Sequence, residues 1–102
     1  MQVSFPSEKV TNPLEALRKA GYAPFRDPKT GSESFVLKLT SGFYPRFHLY
    51  IKQESGKIIF DLHIDQKKPS YSGTRMHAGE YDGSKVEEEL RRITGWISHV
   101  SK

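Results

Sequence analysis

The apolar residues change parity across one short turn, and that switch constrains the chain more than any other feature. Phe47, Leu49 and Ile51 alternate with Arg46, His48, Tyr50 and Lys52. After Glu54-Ser55-Gly56-Lys57, the residues Ile58, Phe60, Leu62 and Ile64 alternate with Ile59, Asp61, His63 and Asp65. Alternation of period two on both sides of a glycine turn is the signature of a β-hairpin. Because the apolar set is odd-numbered before the turn and even-numbered after it, partners on the buried face must have residue numbers with an odd sum. A loop centred on Ser55-Gly56 therefore pairs Ile51 with Phe60, Leu49 with Leu62 and Phe47 with Ile64. The opposite face sets Tyr50 against Asp61, His48 against His63 and Arg46 against Asp65. A slip by one residue exposes the whole apolar set, so this register is strongly specified.

The other elements read less sharply. Asn12, Pro13 and Glu15 supply a side-chain acceptor at the N-cap, a proline at the first helical position and a carboxylate at the third. With Gly21 as the stop, they predict a helix over about residues 13–20, with Leu14 and Leu17 on its buried face. Residues 1–11, apolar only at Val3, Phe5 and Val10, suit a short strand or an arm. Tyr22 to Arg26 suits a short strand that Pro24 confines to an edge. Asp27-Pro28-Lys29-Thr30-Gly31 is turn chemistry, and Phe35, Leu37 and Leu39 form the inner side of a strand over 33–40. Residues 66–83 have no period and read as a long loop. Ser84 with Glu87 is a capping box, and Val86, Leu90, Ile93, Ile97 and Val100 line one face of a helix over about 85–99. The run Glu87-Glu88-Glu89 complements the helix dipole, with Glu87–Arg91 and Glu88–Arg92 as i,i+4 pairs. The expected fold is one α+β domain spanning 1–102. It is an antiparallel meander of three to four strands (about 33–40, 45–53 and 57–65), with the N-terminal and C-terminal helices packed on one face.

Composition narrows the chemistry. The absence of cysteine excludes a disulfide framework and a Cys-ligated zinc or iron–sulfur site. No apolar run approaches the ~20 residues that span a bilayer, and no signal-peptide core is visible, so the expectation is a cytoplasmic protein without a membrane partner. Sixteen Lys plus Arg against 12 Asp plus Glu give a net charge of +4, which favours polyanionic partners. The acid-free run 66–79 carries Lys67, Lys68, Arg75 and His77 interleaved with Tyr71 and followed by Tyr81, a mixture suited to phosphate contacts and base stacking. One expected function is therefore a nucleic-acid or phosphate-binding module, with Arg46, Lys67, Lys68 and Arg75 as cations and Tyr50, Tyr71 and Tyr81 as stacking surfaces.

The polar sheet face has an ordinary reading as the solvated side of a one-sided sheet. It also assembles a ligand set, because directly opposed His48 and His63 have Cβ atoms ~5 Å apart and Asp65 is the next residue on the same side. Two imidazoles and a carboxylate suit a divalent metal such as manganese or zinc, with a position left for water. The second expected function is a divalent-metal phosphoesterase centred on His48, His63, Asp65 and His77. The third is a protein-interaction scaffold using the same surface. The chain contains no G-x-S-x-G, P-loop or H-E-x-x-H motif, and no spacing singles out a serine for a Ser-His-Asp arrangement.

A family resemblance bears on the second reading. Arg46-Phe47-His48-Leu49-Tyr50-Ile51-Lys52-Gln53-Glu54, a glycine turn and a strand are followed by Lys68-Pro69-Ser70 and then His77-Ala78-Gly79-Glu80-Tyr81. This series resembles a shortened form of the 3′-phosphoesterase domain attached to bacterial end-joining DNA ligases. That family is a manganese-dependent β-barrel enzyme with ligands drawn from a strand R-L-H-x-D-x-R-x-E and a later H-x-x-x-Y. The resemblance implies His48 as a metal ligand, Lys52 in place of a phosphate-binding arginine, and His77 with Tyr81 as the second half of the site. The family's metal-ligating aspartate is Tyr50 here, and an earlier histidine is Leu39. His63 and Asp65 on the adjacent strand are the residues available to replace the missing ligand. Phe60 to Asp82 also resembles small bacterial proteins of uncharacterised function.

Overall fold

Ser55 and Gly56 both adopt positive φ, 47° and 78°, the backbone of a tight hairpin turn whose twist matches the strands it joins. The turn connects β4 (Arg46–Glu54) to β5 (Lys57–Asp65). The register is the one expected: Leu49 faces Leu62, His48 faces His63 and Arg46 faces Asp65. The computed structural model describes residues 1–66, 79–80 and 83–101. The long run that carries Lys67, Lys68, Tyr71, Arg75, His77 and Tyr81 falls outside the described residues.

Three further strands complete an antiparallel sheet: β1 (Gln2–Pro6), β2 (Ala23–Arg26) and β3 (Glu33–Lys38), in the order β1-β5-β4-β3-β2. A two-residue strand β6 (Gly79–Glu80) pairs with the end of β5. The sheet therefore has five principal strands rather than the three to four expected. The additional ones are edge strands of five and four residues, too short to show a clear alternation. Their partners bring them into the sheet: Val3 and Phe5 pair with Phe60 and Ile58, and Phe5 meets Phe60 edge-to-face at 5.8 Å. Pro24 sits on the outer edge strand, where no ladder donor is missed.

The helices α1 (Pro13–Lys19) and α2 (Ser84–Val100) cover the apolar face. Asn12 Oδ1 accepts the Glu15 amide at 3.1 Å, Pro13 opens α1, and Gly21 follows it at φ 103°. This helix docks through Ala16, Leu17 and Ala20, whose small members allow close approach, and Leu14 is turned out to 60% exposure instead of sharing the buried face. Leu39 lies just beyond β3 and is also exposed. Along α2 the buried residues are Val86, Leu90, Ile93 and Ile97, as the spacing predicts. The expected capping box is not made: Gly83 occupies the N-cap, which places Ser84 within the first turn.

Glu89 also departs from expectation, being 7% exposed on the packed side of α2. It accepts from Tyr22 Oη at 2.6 Å and from Arg92 Nε and Nη2 at 2.8 and 2.7 Å. Arg92 also donates to the Ala20 carbonyl at 2.9 Å. Arg92 thus pairs with Glu89 at i,i+3 rather than with Glu88, while Glu87–Arg91 forms as expected at 3.5 Å. Burial, reinforced by Glu89, pushes the Tyr22 phenol far above its ordinary range, so the network is built on a neutral tyrosine. It pins the end of α1 and the start of β2 to α2.

Removing the side chain of Leu90 or Ile93 by substitution with alanine should cost about 2–5 kcal/mol in a denaturant melt, as large-to-small core changes do. Glu88→Ala, on the exposed side, should cost under about 1 kcal/mol. Equal and small effects would mean that α2 does not seal the sheet.

Candidate metal centre

The face of the sheet away from the helices is polar in sequence yet closed in the fold. Arg46, His48 and His63 are only 4%, 6% and 8% exposed, which replaces the expected solvated face with a covered one. Among the described residues, two separate segments cover Arg46 and His48. Phe25, on the edge strand β2, meets the His48 ring edge-to-face at 5.9 Å. Phe43 and Tyr44, in the connection from β3 to β4, join Phe25 around the Arg46 guanidinium, with ring centroids 4.5, 4.9 and 4.7 Å away respectively. Rings held this close to a guanidinium attract it through their quadrupoles. Beside them opens a cleft of about 590 Å³, walled by Phe25, Lys29, Phe43, Tyr44, Arg46, His48, Tyr50, His63 and Asp65 among others.

Asp65 is the hub of this face. Its Oδ2 accepts from Arg46 Nε at 3.1 Å and lies 2.7 Å from His48 Nδ1, while Oδ1 lies 2.7 Å from His63 Nε2. Burial alone would raise the Asp65 carboxyl, but the hydrogen bonds from His48, His63 and Arg46 outweigh it and hold the group well below the usual carboxylate range. Tyr50 stacks on the His48 ring at 4.6 Å and lies 5.9 Å from that of His63. Arg46 Nη1 is buried with no hydrogen-bond partner among the described residues, and an orphaned buried donor costs about 1–3 kcal/mol.

The other nitrogen of His48 reaches a residue that sequence reasoning missed. Nε2 lies 2.7 Å from Ser34 Oγ, which in turn lies 3.5 Å from the Phe25 carbonyl oxygen. A hydroxyl rotates between donor and acceptor roles, so Ser34 accommodates either neutral tautomer of His48. When Nδ1–H donates to Asp65, the Ser34 hydroxyl donates to Nε2. When Nε2–H donates to Ser34, the Nδ1 lone pair is free for a cation. No spacing signals Ser34, because it reaches His48 diagonally across a ladder in which Val36 is the direct partner.

The ligand atoms of His48, His63 and Asp65 all lie within 4.8 Å of one another, and this trio could hold a metal ion. In tetrahedral coordination two ligands at about 2.0–2.2 Å from one ion stand about 3.4 Å apart, so a bound ion would part the 2.7 Å contacts to Asp65 and draw the more distant ligand atoms together. Ser34 supplies the outer partner that metal-bound histidines ordinarily have. Of the remaining expected site residues, Arg46 is in the cluster. Lys52 lies on the same side of β4 but is exposed beyond Tyr50 and does not wall the cleft. Lys29, which was not expected there, does. No helix among the described residues is long and apolar enough to cross a membrane. Comparison with protein-family models, with curated proteins and with solved structures finds no match for this chain.

The lowered carboxyl sets the sign of an acid effect. A group whose pKa falls on folding contributes stability that is present above its unfolded value, about 4 for aspartate, and is lost as pH falls through the folded value. Asp65→Asn should therefore cost on the order of 2 kcal/mol at neutral pH. It should also show a shallower loss of stability below about pH 4 than the unaltered protein, measured by urea melts at stepped pH. Parallel acid profiles would mean that Asp65 is not the hub.

Proposed function

We propose that this protein is a divalent-metal-dependent phosphoester hydrolase whose metal is held by His48, His63 and Asp65. The observation that carries the reading is the convergence of those three ligand atoms, beside a buried guanidinium, on one wall of an open cleft. A metal in such a site supplies Lewis acidity and lowers the pKa of a bound water toward neutrality. The chain's own residues do the rest. His48 would present its Nδ1 lone pair while its Nε2–H donates a hydrogen bond to the Ser34 hydroxyl. Asp65 contributes the negative charge that a cation requires. Phe25, Phe43 and Tyr44 exclude water from the back of Arg46, which strengthens its pull on an anionic substrate.

The similarity of the β4 segment to the 3′-phosphoesterase strand supports the same substrate class. His48 is shared with that strand. The carboxylate that Tyr50 displaces from the motif is supplied by Asp65 on the neighbouring strand.

Manganese or zinc should raise the melting temperature by mass action, amounting to about 2.7 kcal/mol of stabilisation at a hundredfold excess over Kd. The shift should vanish with chelator and with His63→Ala, and should persist in Lys52→Ala. Ser34→Ala should weaken metal affinity by roughly 10–100-fold, as loss of an outer-shell partner does. Release of phosphate from a 3′-phosphorylated oligonucleotide should depend on the metal and on His48. Identical melts with metal and with chelator, and no phosphate release, would remove the proposal.

A further inference from the structure

The two edges of the sheet are finished differently, and the difference bears on a partner. We infer that β1 is a dimerisation edge, to which a second copy of this chain adds its own β1, antiparallel, about a two-fold axis through Val3. This inference is independent of the metal-dependent reading above.

The ladder spacing identifies which backbone groups look outward. Met1 and Leu62 exchange hydrogen bonds in both directions at 2.9 Å, and the Ser7 amide donates to the Gly56 carbonyl at 2.8 Å. Close pairs alternate along an antiparallel ladder, so Val3 and Phe5 also direct their backbone groups to β5, while Gln2 and Ser4 direct theirs away. The same reasoning applies to the opposite edge. There the Asp27 amide donates to the Ser32 carbonyl at 2.9 Å, which turns Phe25 and Ala23 toward β3 and leaves Pro24 and Arg26 outward. A proline without an N–H and a charged side chain are usual guards of a free edge. The outward positions of β1 hold Gln2 and Ser4 instead, and Pro6 comes only at its end. Among the described residues β1 pairs with β5 alone, and β6 joins β5 at Ile64 and Asp65, past the end of β1.

The outward groups are self-complementary, which is why the occupant is a second copy. With the two-fold through Val3, Gln2 of each chain exchanges both backbone hydrogen bonds with Ser4 of the other. Centring on Ser4 would set Gln2 against Pro6, which has no N–H to return. The side chains agree with the first register. Met1, Val3 and Phe5 are half-buried at the margin of the core, and the two-fold sets Val3 against Val3 and Met1 against Phe5, closing that margin on both copies. Beside it runs a groove of about 340 Å³ between β1 and α2, lined by Met1, Val3, Glu87, Leu90, Arg91 and Thr94 among others. Glu87 and Arg91 stand one helical turn apart on its wall, an acid and a base that an antiparallel copy of α2 meets in the opposite order. The axis stands perpendicular to the sheet, so the dimer is one continuous sheet with both Asp65 clefts on the same side.

Light scattering on the full chain should read the single-chain mass of 11.7 kDa when dilute. It should rise toward twice that value between about 5 and about 500 µM, the range expected of a small interface. Ser4→Pro removes an outward donor without touching the ladder to β5, and should hold the mass at one chain throughout. The register has its own test, because the chain contains no cysteine. Residues opposed in a wide antiparallel pair have Cα atoms about 4.5 Å apart, within reach of a disulfide. Val3→Cys should therefore form a covalent dimer under mild oxidation. Leu14→Cys, 60% exposed and far from β1, measures random collision and should stay monomeric. If Ser4→Pro does not fold, the cysteine pair still decides the matter. A mass that stays at one chain for the unaltered protein, a dimer that Ser4→Pro leaves intact, or Val3→Cys cross-linking no faster than Leu14→Cys would overturn the inference.

Discussion

The ladder between β4 and β5 fixes the two faces of this molecule at once. Leu49 opposite Leu62 and Ile51 opposite Phe60 build the helix-covered side, while His48 opposite His63 and Arg46 opposite Asp65 build the cleft side. Each large side chain withdrawn from water on the first side contributes roughly 1.5–3 kcal/mol. Several are fully buried there, among them Leu49, Phe60 and Leu62. Shifting the register by one residue would forfeit all of that to bring a different polar set together. The positions of the histidines are thus held by the hydrophobic core on the far side of the same strands. Little of that task falls to the polar contacts.

What distinguishes the second face is its roof. A sheet backed by helices on one side commonly leaves the other to water, yet here Phe25, Phe43 and Tyr44 close over Arg46, and Phe25 also meets His48. In that drier setting hydrogen bonds to ionised groups are stronger, and the cost of an unmatched charge is larger. Asp65 answers both demands by accepting from three partners at once. The result is a carboxylate with an imidazole at each oxygen, a trio that could hold a metal ion.

Legibility in the sequence follows the range of the interactions involved. The hairpin and its His48–His63 and Arg46–Asp65 pairs were readable because period-two alternation and a parity switch are local signals spanning one turn. The edge strands were hard to read because their five and four residues gain order only from β5 and β3. The closed roof was not readable. It depends on Phe25 and Phe43-Tyr44, from two separate segments, converging on Arg46 through the registers of β2, β3 and β4. Ser34 was missed for the same reason, since its contact with His48 is a diagonal across a ladder. Glu89 sits three residues after Val86 and four before Ile93, beside the buried stripe, yet a carboxylate in an acidic run reads as a surface group, and the Tyr22 hydroxyl that makes it a buried acceptor comes from a segment distant in sequence.

The central claim is that the Asp65 hub is a metal centre, and the most direct measurement is anomalous diffraction from crystals grown with excess Mn²⁺. The account predicts one strong peak in the cleft, bonded to His48 Nδ1, His63 Nε2 and the Asp65 carboxylate at about 2.0–2.2 Å, with His48 Nε2 still on Ser34. Intact hydrogen bonds from both histidines to Asp65, with manganese absent from the cleft or bound elsewhere on the molecule, would contradict it.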